Sequence, residues 1–286
     1  MCRTYQGVYR EAVEYLVGAG IEEASLDARL LLEHVCGTDR NTLLAHGERE
    51  VTEAEYEKYS HLIAERVRHV PLQHLTGEQE FMGLTFVVNN KVLVPRQDTE
   101  VLVEEVMRNL HDGMRILDMC TGSGCILLSL LQYSNDCAGV GVDLSAEALA
   151  VAGENYRHLQ ESRPEMKASF IESDLFAKVR KEERYEIIVS NPPYIRTDVI
   201  DTLMPEVREH EPLMALDGRA DGLYFYREIT GQAKEYLQSG GMLFYEIGYD
   251  QAEDVCRIMA KEGFREVAVV KDFAGLDRVV YGSWFG

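Results

Sequence analysis

The residues best able to do chemistry lie together in Tyr185-Glu186-Ile187-Ile188-Val189-Ser190-Asn191-Pro192-Pro193-Tyr194. The apolar run and its serine read as a short buried strand, which the two prolines stop. Proline has no N–H and fixes its own φ, and it drives the preceding residue towards extended backbone. Asn191 and Tyr194 are therefore expected on a stiff loop at a strand's carboxyl end, the edge where open α/β sheets bind ligands. An amide nitrogen is a poor nucleophile because its lone pair is delocalised. Asn191 and the backbone carbonyl of Pro192 could accept both N–H groups of an incoming –NH2 and aim that lone pair at an electrophile, with Tyr194 packing on the flat group. Orientation of this kind supplies up to roughly 7–11 kcal/mol in the best intramolecular cases.

A second stretch, Leu117-Asp118-Met119-Cys120-Thr121-Gly122-Ser123-Gly124, joins a strand to a helix. Gly122 and Gly124 let backbone come close to a ligand. Position 127 is leucine where a dinucleotide fingerprint has its third glycine, and no Gly-Lys-Ser/Thr follows. The loop is wrong for pyrophosphate, and the acidic Asp118 points towards a cationic ligand. Asp143 ends the next strand, where a carboxylate can accept from two ribose hydroxyls. Asp174 follows the third, where it could accept from an adenine amino group or simply cap the turn before Leu175-Phe176. A glycine loop and two acids at successive strand ends, with Asn191 to Tyr194 after the fourth, suit S-adenosylmethionine better than NAD or ATP.

Strand–helix alternation must position these loops. Strands are expected at 114–119, 138–142, 168–171, 185–190 and 242–247, with helices at 124–132, 145–159, 222–237 and 251–261. Segments 267–270 and 278–284 read as a closing antiparallel ribbon. This pattern implies a mostly parallel sheet covered on both faces. Residues 1 to about 72 look all-helical, with Val8, Ala12, Leu16 and Ala19 on one face and Leu26, Leu30, Leu31 and Val35 on another. Thr52 and Glu55 have capping-box spacing, opening a helix that stops before Pro71. Residues 75–94 change period and read as a β-hairpin turning at Asn89-Asn90-Lys91, a connector between two domains. Pro95-Arg96-Gln97-Asp98-Thr99-Glu100 then opens a helix that Asp98 or Thr99 would cap.

The 286 residues are 46% hydrophobic and 27% charged, as in ordinary soluble domains. No apolar run approaches a bilayer span, and the start, Met1-Cys2-Arg3-Thr4-Tyr5, has no signal-peptide core, so a cytoplasmic protein is expected. Cys2, Cys36, Cys120, Cys125, Cys137 and Cys256 form no Cys-x-x-Cys pair, so free, mostly buried thiols and no structural metal are expected. A net charge of −20 without a Lys/Arg run counts against a protein that grips nucleic acid by its phosphates.

Taken together, the chain resembles the peptide-chain release-factor N5-glutamine methyltransferases of the PrmC/HemK type. The likeness rests on Pro95 to Glu100, Thr121 to Gly124, Asp143, Ser173-Asp174-Leu175-Phe176 and Val189 to Ile195. It continues through Glu211-Pro212, Ala215-Leu216, Asp221-Gly222-Leu223, Tyr226-Arg227, Glu246-Ile247-Gly248, Lys271-Asp272 and Gly275 to Val280. The resemblance implies an α/β fold with a seven-stranded, mostly parallel, Rossmann-like methyltransferase sheet over residues 96–286. It implies a small all-helical N-terminal domain over 1–74 that contacts the release factor, and a β-hairpin linker over 75–95. It implies methyl transfer from S-adenosylmethionine to the glutamine amide of the Gly-Gly-Gln loop in class I release factors. Carried over by position, Cys120, Thr121, Gly122, Ser123 and Gly124 line the methionine part of the cofactor. Asp143 holds the ribose, and Asp174 with Leu175 flanks the adenine. Asn191 and Pro192 hold the glutamine amide, Pro193 and Tyr194 shape its pocket, and Arg96 to Glu100 close over the site.

Three positions depart from the family. Gln97 stands where proline is usual, which loosens the start of that helix. Cys120 replaces a glycine, which calls for a backbone angle that a non-glycine tolerates. Leu175 stands where some members have an aromatic. No Ser/His/Asp or Cys/His set accompanies the loop, so direct in-line displacement without a covalent intermediate is expected. The alternative, an adenine-N6 methyltransferase on DNA or RNA, would use the same Asn-Pro-Pro-Tyr on a flipped base. A non-catalytic nucleotide-pocket protein is the reading from another class.

Overall fold

A computed structural model describes residues 3–286. The chain folds as two compact units, one running to Glu78 and also taking in Met204–His210, the other comprising Gln79–Leu203 and Glu211–Gly286. The inclusion of Met204–His210 in the first unit had no signature in the sequence.

The first unit contains α1 (Tyr5–Gly18), α2 (Ala24–Cys36), α3 (Arg40–Ala45), α4 (Glu53–Val67) and α5 (Leu72–Thr76). Val8, Ala12 and Leu16 of α1 pack with Ala28, Leu31 and Leu32 of α2 and Tyr59, Leu62 and Ile63 of α4. The capping box of α4 forms as expected: Glu55 N donates to Thr52 Oγ1 at 3.3 Å and Thr52 N to Glu55 Oε2 at 2.7 Å. The apolar face expected for α2 is rotated. Leu26 is exposed and Asp27 is buried instead, because Arg66 Nε of α4 donates to Asp27 Oδ2 at 2.7 Å. Arg66 also pairs with Glu206, on the short helix that Met204–His210 brings to this unit.

The second unit starts with a two-stranded sheet of β1 (Glu78–Phe81) and β2 (Leu84–Val87). The hairpin is present, but it turns at Met82-Gly83, both with positive φ, and not at Asn89-Asn90-Lys91. Asn89 folds a separate local turn, its side chain accepting from Lys91 N at 2.9 Å. Phe81 and Phe86 are fully buried in the core of the sheet unit, edge-to-face at 6.1 Å. Asn155 ties Val87 to the long helix beside it through hydrogen bonds of 2.7 and 3.1 Å. The hairpin is thus part of the second unit's core.

After α6 (Glu100–Asn109) come β3 (Arg115–Met119), α7 (Cys125–Tyr133), β4 (Ala138–Asp143), α8 (Ala146–Ser162), β5 (Lys167–Glu172) and β6 (Tyr185–Ser190). The short helices α9 (Pro205–His210) and α10 (Leu213–Leu216) precede α11 (Tyr224–Ala233), β7 (Leu237–Glu246), α12 (Ala252–Lys261), β8 (Arg265–Lys271) and β9 (Asp277–Ser283). The seven-stranded sheet runs β5-β4-β3-β6-β7-β9-β8. Neighbours from β5 to β7 pair in parallel, while β9 is antiparallel to both β7 and β8. Alternating residues feed opposite faces: Leu117, Met119 and Ile188 enter one core, Ile116, Ile187 and Val189 the other. The order reverses between β3 and β6. Such a switch point is where an open α/β sheet leaves a crevice at its carboxyl edge.

Among the described residues, Cys125 and Cys137 are buried free thiols and Cys36, Cys120 and Cys256 are half-buried ones. Cys2 and the Met1-Cys2 start lie outside the described residues. Among the described residues no helix is long and apolar enough to cross a membrane.

Candidate active site

A cavity of about 450 Å³ opens at that crevice, within the usual range for small-molecule sites. Its wall brings together Arg96, Cys120, Thr121, Gly122, Ser123, Asp143, Asp174, Leu175, Asn191 and Pro193. These five chain segments, separated by up to about a hundred positions, meet there because parallel strands β3 to β6 all end on the same edge.

The loop after β3 takes left-handed backbone at Cys120 (φ 63°), Gly122 (55°) and Gly124 (80°). Cys120 therefore keeps the glycine-like angle despite its side chain, contrary to expectation, at a cost of about 1–2 kcal/mol. At Gly122 a Cβ would meet open space, so the bare backbone faces the cavity. The loop is held from below. Thr121 N donates to Val142 O at 3.0 Å and Thr121 Oγ1 to Asp118 Oδ2 at 2.5 Å.

Asp118 does not meet a ligand. It is fully buried, absent from the cavity wall, and its Oδ1 has no hydrogen-bond partner among the described residues. The strand's alternation turns Asp118 away where Met119 reaches the wall. Burial pushes its carboxyl up to about 7, with Asp143 adding to the rise and Thr121 and the backbone of Leu127 opposing it. The folded state thus binds this proton more tightly than the unfolded chain, whose aspartate titrates near about 4. Stability from this group is fully present below that value and is lost as pH rises to about 7. Asp118→Asn is expected to remove the slope, so urea melts at low and neutral pH should show the variant gaining on the wild type by up to about 1.4 kcal/mol per pH unit. Parallel curves would place the ionised carboxylate in a solvated setting.

Asp143 lies at the wall with both oxygens engaged: Oδ2 accepts from Gly122 N and Oδ1 from Ser145 N, each at 2.9 Å. Each oxygen keeps a further lone pair for a ligand. Burial raises its pKa, opposed by the backbone N–H groups of Ser145, Gly122 and Leu144. Asp174 makes no capping hydrogen bond to the turn Leu175–Lys178, so its carboxylate is left at the wall. Leu175 beside it takes φ 45°.

On the opposite side, Ser190 Oγ donates to Met119 O at 2.6 Å, stitching the end of β6 to β3 directly before Asn191. Asn191 Nδ2 donates to Thr99 Oγ1 at 3.4 Å. Four predicted site residues do not line the cavity: Gly124, Glu100, Pro192 and Tyr194. Glu100 instead accepts from Met82 N at 2.6 Å, fixing the hairpin turn. Tyr194 donates its hydroxyl to Glu246 Oε1 at 3.2 Å, so it braces the loop from behind. Neither Asp98 nor Thr99 caps α6 through its side chain. Asp98 pairs with Arg278 at 3.1 Å, and the segment enters α6 through a short 3-10 turn over Gln97–Thr99. Arg96, at the wall, donates to the buried Glu211 at 2.7 Å.

The stretch after Glu211 supports the Asn191 loop, a role no spacing in the sequence revealed. Ile195 N donates to Leu216 O at 3.0 Å and Gly218 N to Ile195 O at 2.7 Å. Gln251 Nε2 donates to Tyr194 O at 3.0 Å. A Cβ on Gly222 would stand 2.5 Å from that same carbonyl oxygen, and its φ is +72°. The Asp221-Gly222-Leu223 element was visible as a motif, but its meaning lies in this close approach.

Residues 8–77 match the PrmC N-terminal domain family and residues 96–206 the methyltransferase small domain family. A release factor glutamine methyltransferase of Fusobacterium nucleatum subsp. nucleatum is 40% identical over 277 residues, covering 96% of this chain and 77% of the relative. One from Clostridium acetobutylicum is 42% identical over 257 residues, 89% of each chain. The chain belongs to the release factor glutamine methyltransferase family. A methyltransferase crystal structure from Pyrococcus furiosus, 15% identical over 72% of this chain and 91% of that one with a TM-score of 0.51, shares the fold.

The methyl donor of a release factor glutamine methyltransferase is S-adenosylmethionine, and the wall described above fits it. Gly122 bares backbone to the cavity, Asp143 retains two acceptor positions, and Val142, Leu144, Leu175 and Phe225 provide apolar surface. A hydrogen bond to a charged group contributes about 1.5–3 kcal/mol, so Asp143→Ala is expected to raise the cofactor Kd about 10–100-fold. Calorimetry showing unchanged affinity would move the ribose contact elsewhere.

Proposed function

We propose that this enzyme transfers a methyl group from S-adenosylmethionine to the side-chain N5 nitrogen of the glutamine in the Gly-Gly-Gln loop of class I release factors. The observation that carries the reading is that Asn191 shares one cavity wall with the Cys120–Ser123 loop and Asp143. Bound there, S-adenosylmethionine supplies an electrophilic methyl carbon on a cationic sulfur. Asn191, at the wall, accepts an N–H group of the substrate amide and favours the partial positive charge that grows on its nitrogen, while Pro192, behind the wall, stiffens the loop that carries it. The apolar walls exclude water. Transfer is direct, because burial pushes the two thiols at the wall, Cys120 and Cys125, well above the range in which either is a thiolate, Cys125 to about 12.

The helical N-terminal domain is assigned the release-factor contact. It supplies none of the residues at the cavity wall, and it exposes Tyr15, Val17 and Leu44. The net charge of −20 supports a protein substrate over nucleic acid, and such a substrate places the enzyme in the cytoplasm. Mass spectrometry of a purified release factor after incubation with the enzyme and S-adenosylmethionine tests the reading, with one added methyl group expected on the glutamine of its Gly-Gly-Gln peptide. Tritiated methyl appearing in nucleic acid and not in the release factor would overturn it.

A further inference from the structure

One motif of the sequence, Lys271-Asp272 with Gly275 to Val280, takes no part in the cavity wall. It forms the turn between β8 and β9. Because β9 runs antiparallel to β7, with Val279 opposite Glu246, this turn stands at the carboxyl edge of the parallel strands. The cavity opens on that same edge.

The turn is tied down from inside. Asp272 N donates to Leu276 O at 2.8 Å and Gly275 N to Asp272 O at 2.9 Å. Asp272 Oδ1 accepts from the backbone N–H groups of Ala274 and Leu276, each at 2.9 Å. Beneath it the buried Arg278 donates to Asp272 Oδ2 at 3.0 Å and pairs with Asp98 at 3.1 Å. Asp98 directly precedes Thr99, which lies on the cavity wall. One guanidinium thus couples the turn to the mouth of the site.

At the tip, Phe273 is 91% exposed. Leu276 of the same turn is exposed as well, and so is Tyr249, three residues beyond β7 on the same edge. A phenylalanine ring left in water forgoes the burial that a side chain of its size normally gains, and the hydrogen bonds of the turn hold its backbone outward. Apolar side chains gathered in this way mark an interaction surface.

We propose that this turn is a docking surface for the release factor, an inference that rests on the function proposed above. Its occupant is an apolar patch on the release-factor surface beside the glutamine loop. The glutamine enters the cavity from this edge, so the protein surface flanking it is brought against Phe273. The contact belongs to the second unit alone and adds to the one assigned to the helical domain. With the turn ordered beforehand, little conformational entropy is lost when the ring is covered. Aromatic anchors of this kind carry much of an interface's energy.

Phe273→Ala removes the ring and leaves every hydrogen bond of the turn in place. Steady-state methylation of an intact release factor is expected to show KM raised about tenfold. Both kcat and the cofactor Kd should stay within about twofold. Phe273→Leu, which keeps an apolar side chain, should recover most of the loss. An unchanged KM in Phe273→Ala overturns the inference and leaves the functional reading standing. So does a wild-type dimer in sedimentation that Phe273→Ala dissociates, which would give the turn to a second copy. A wild type that methylates no release factor overturns both.

Discussion

Asn191→Ala is expected to lower kcat for glutamine methylation about 10²–10³-fold, the usual cost of removing one preorganised partner of a developing charge. Cofactor affinity should hardly change, because the donors and acceptors of the Cys120–Ser123 loop and Asp143 are built without Asn191. Their hydrogen bonds run to Val142, Gly122, Ser145 and Asp118. The loop should also keep its shape. It is fixed by Pro192 and Pro193, by Ser190 Oγ on Met119 O at 2.6 Å, and by Gln251 on Tyr194 O at 3.0 Å. The loss should thus fall on the chemical step alone, with single-turnover methylation as slow as steady state. A variant that turned over normally would remove Asn191 from the reaction.

Arg66→Ala is expected to cost the helical unit about 3–5 kcal/mol, the range for breaking a buried ion pair from one side. Arg66 and Asp27 have side chains only 5% and 6% exposed. Removing the guanidinium leaves Asp27 in the interior, where burial already raises its pKa and Arg66 is the chief opposing influence. Glu206 loses the same partner, so Met204–His210 should come free of the helical unit as well. Urea unfolding should show a lower midpoint at pH 7, and limited proteolysis should cut near Met204. Replacing all three members by apolar residues of similar volume should be far milder, because no unpaired charge is then left inside. A loss below about 1 kcal/mol in Arg66→Ala would mean that water already reaches the pair.

The sequence by itself determined whatever is written contiguously. The Tyr185–Ser190 strand, the proline stop after Asn191, the glycine loop, the acids ending β4 and following β5, and the capping box at Thr52 each depend on neighbours within a few positions. Hydrophobic period and local backbone preference therefore sufficed to place them, whereas the order of the strands, and with it the switch point, came from their pairing in the sheet. Tertiary structure decided what depends on partners far along the chain. Asp118 and Asp143 both lie at a β-strand end, yet only packing shows that one is buried under the loop and the other faces the cavity. Asp27 reads as a surface acid until Arg66, 39 positions away, is seen beside it. Glu100 reads as a lid residue until its carboxylate is found on the Met82 N–H. The hairpin turned at Met82-Gly83, where Glu100 and Tyr133 hold a strained residue that local propensity would not choose. A side chain's direction is a property of the space that others leave it, and no local pattern carries that information.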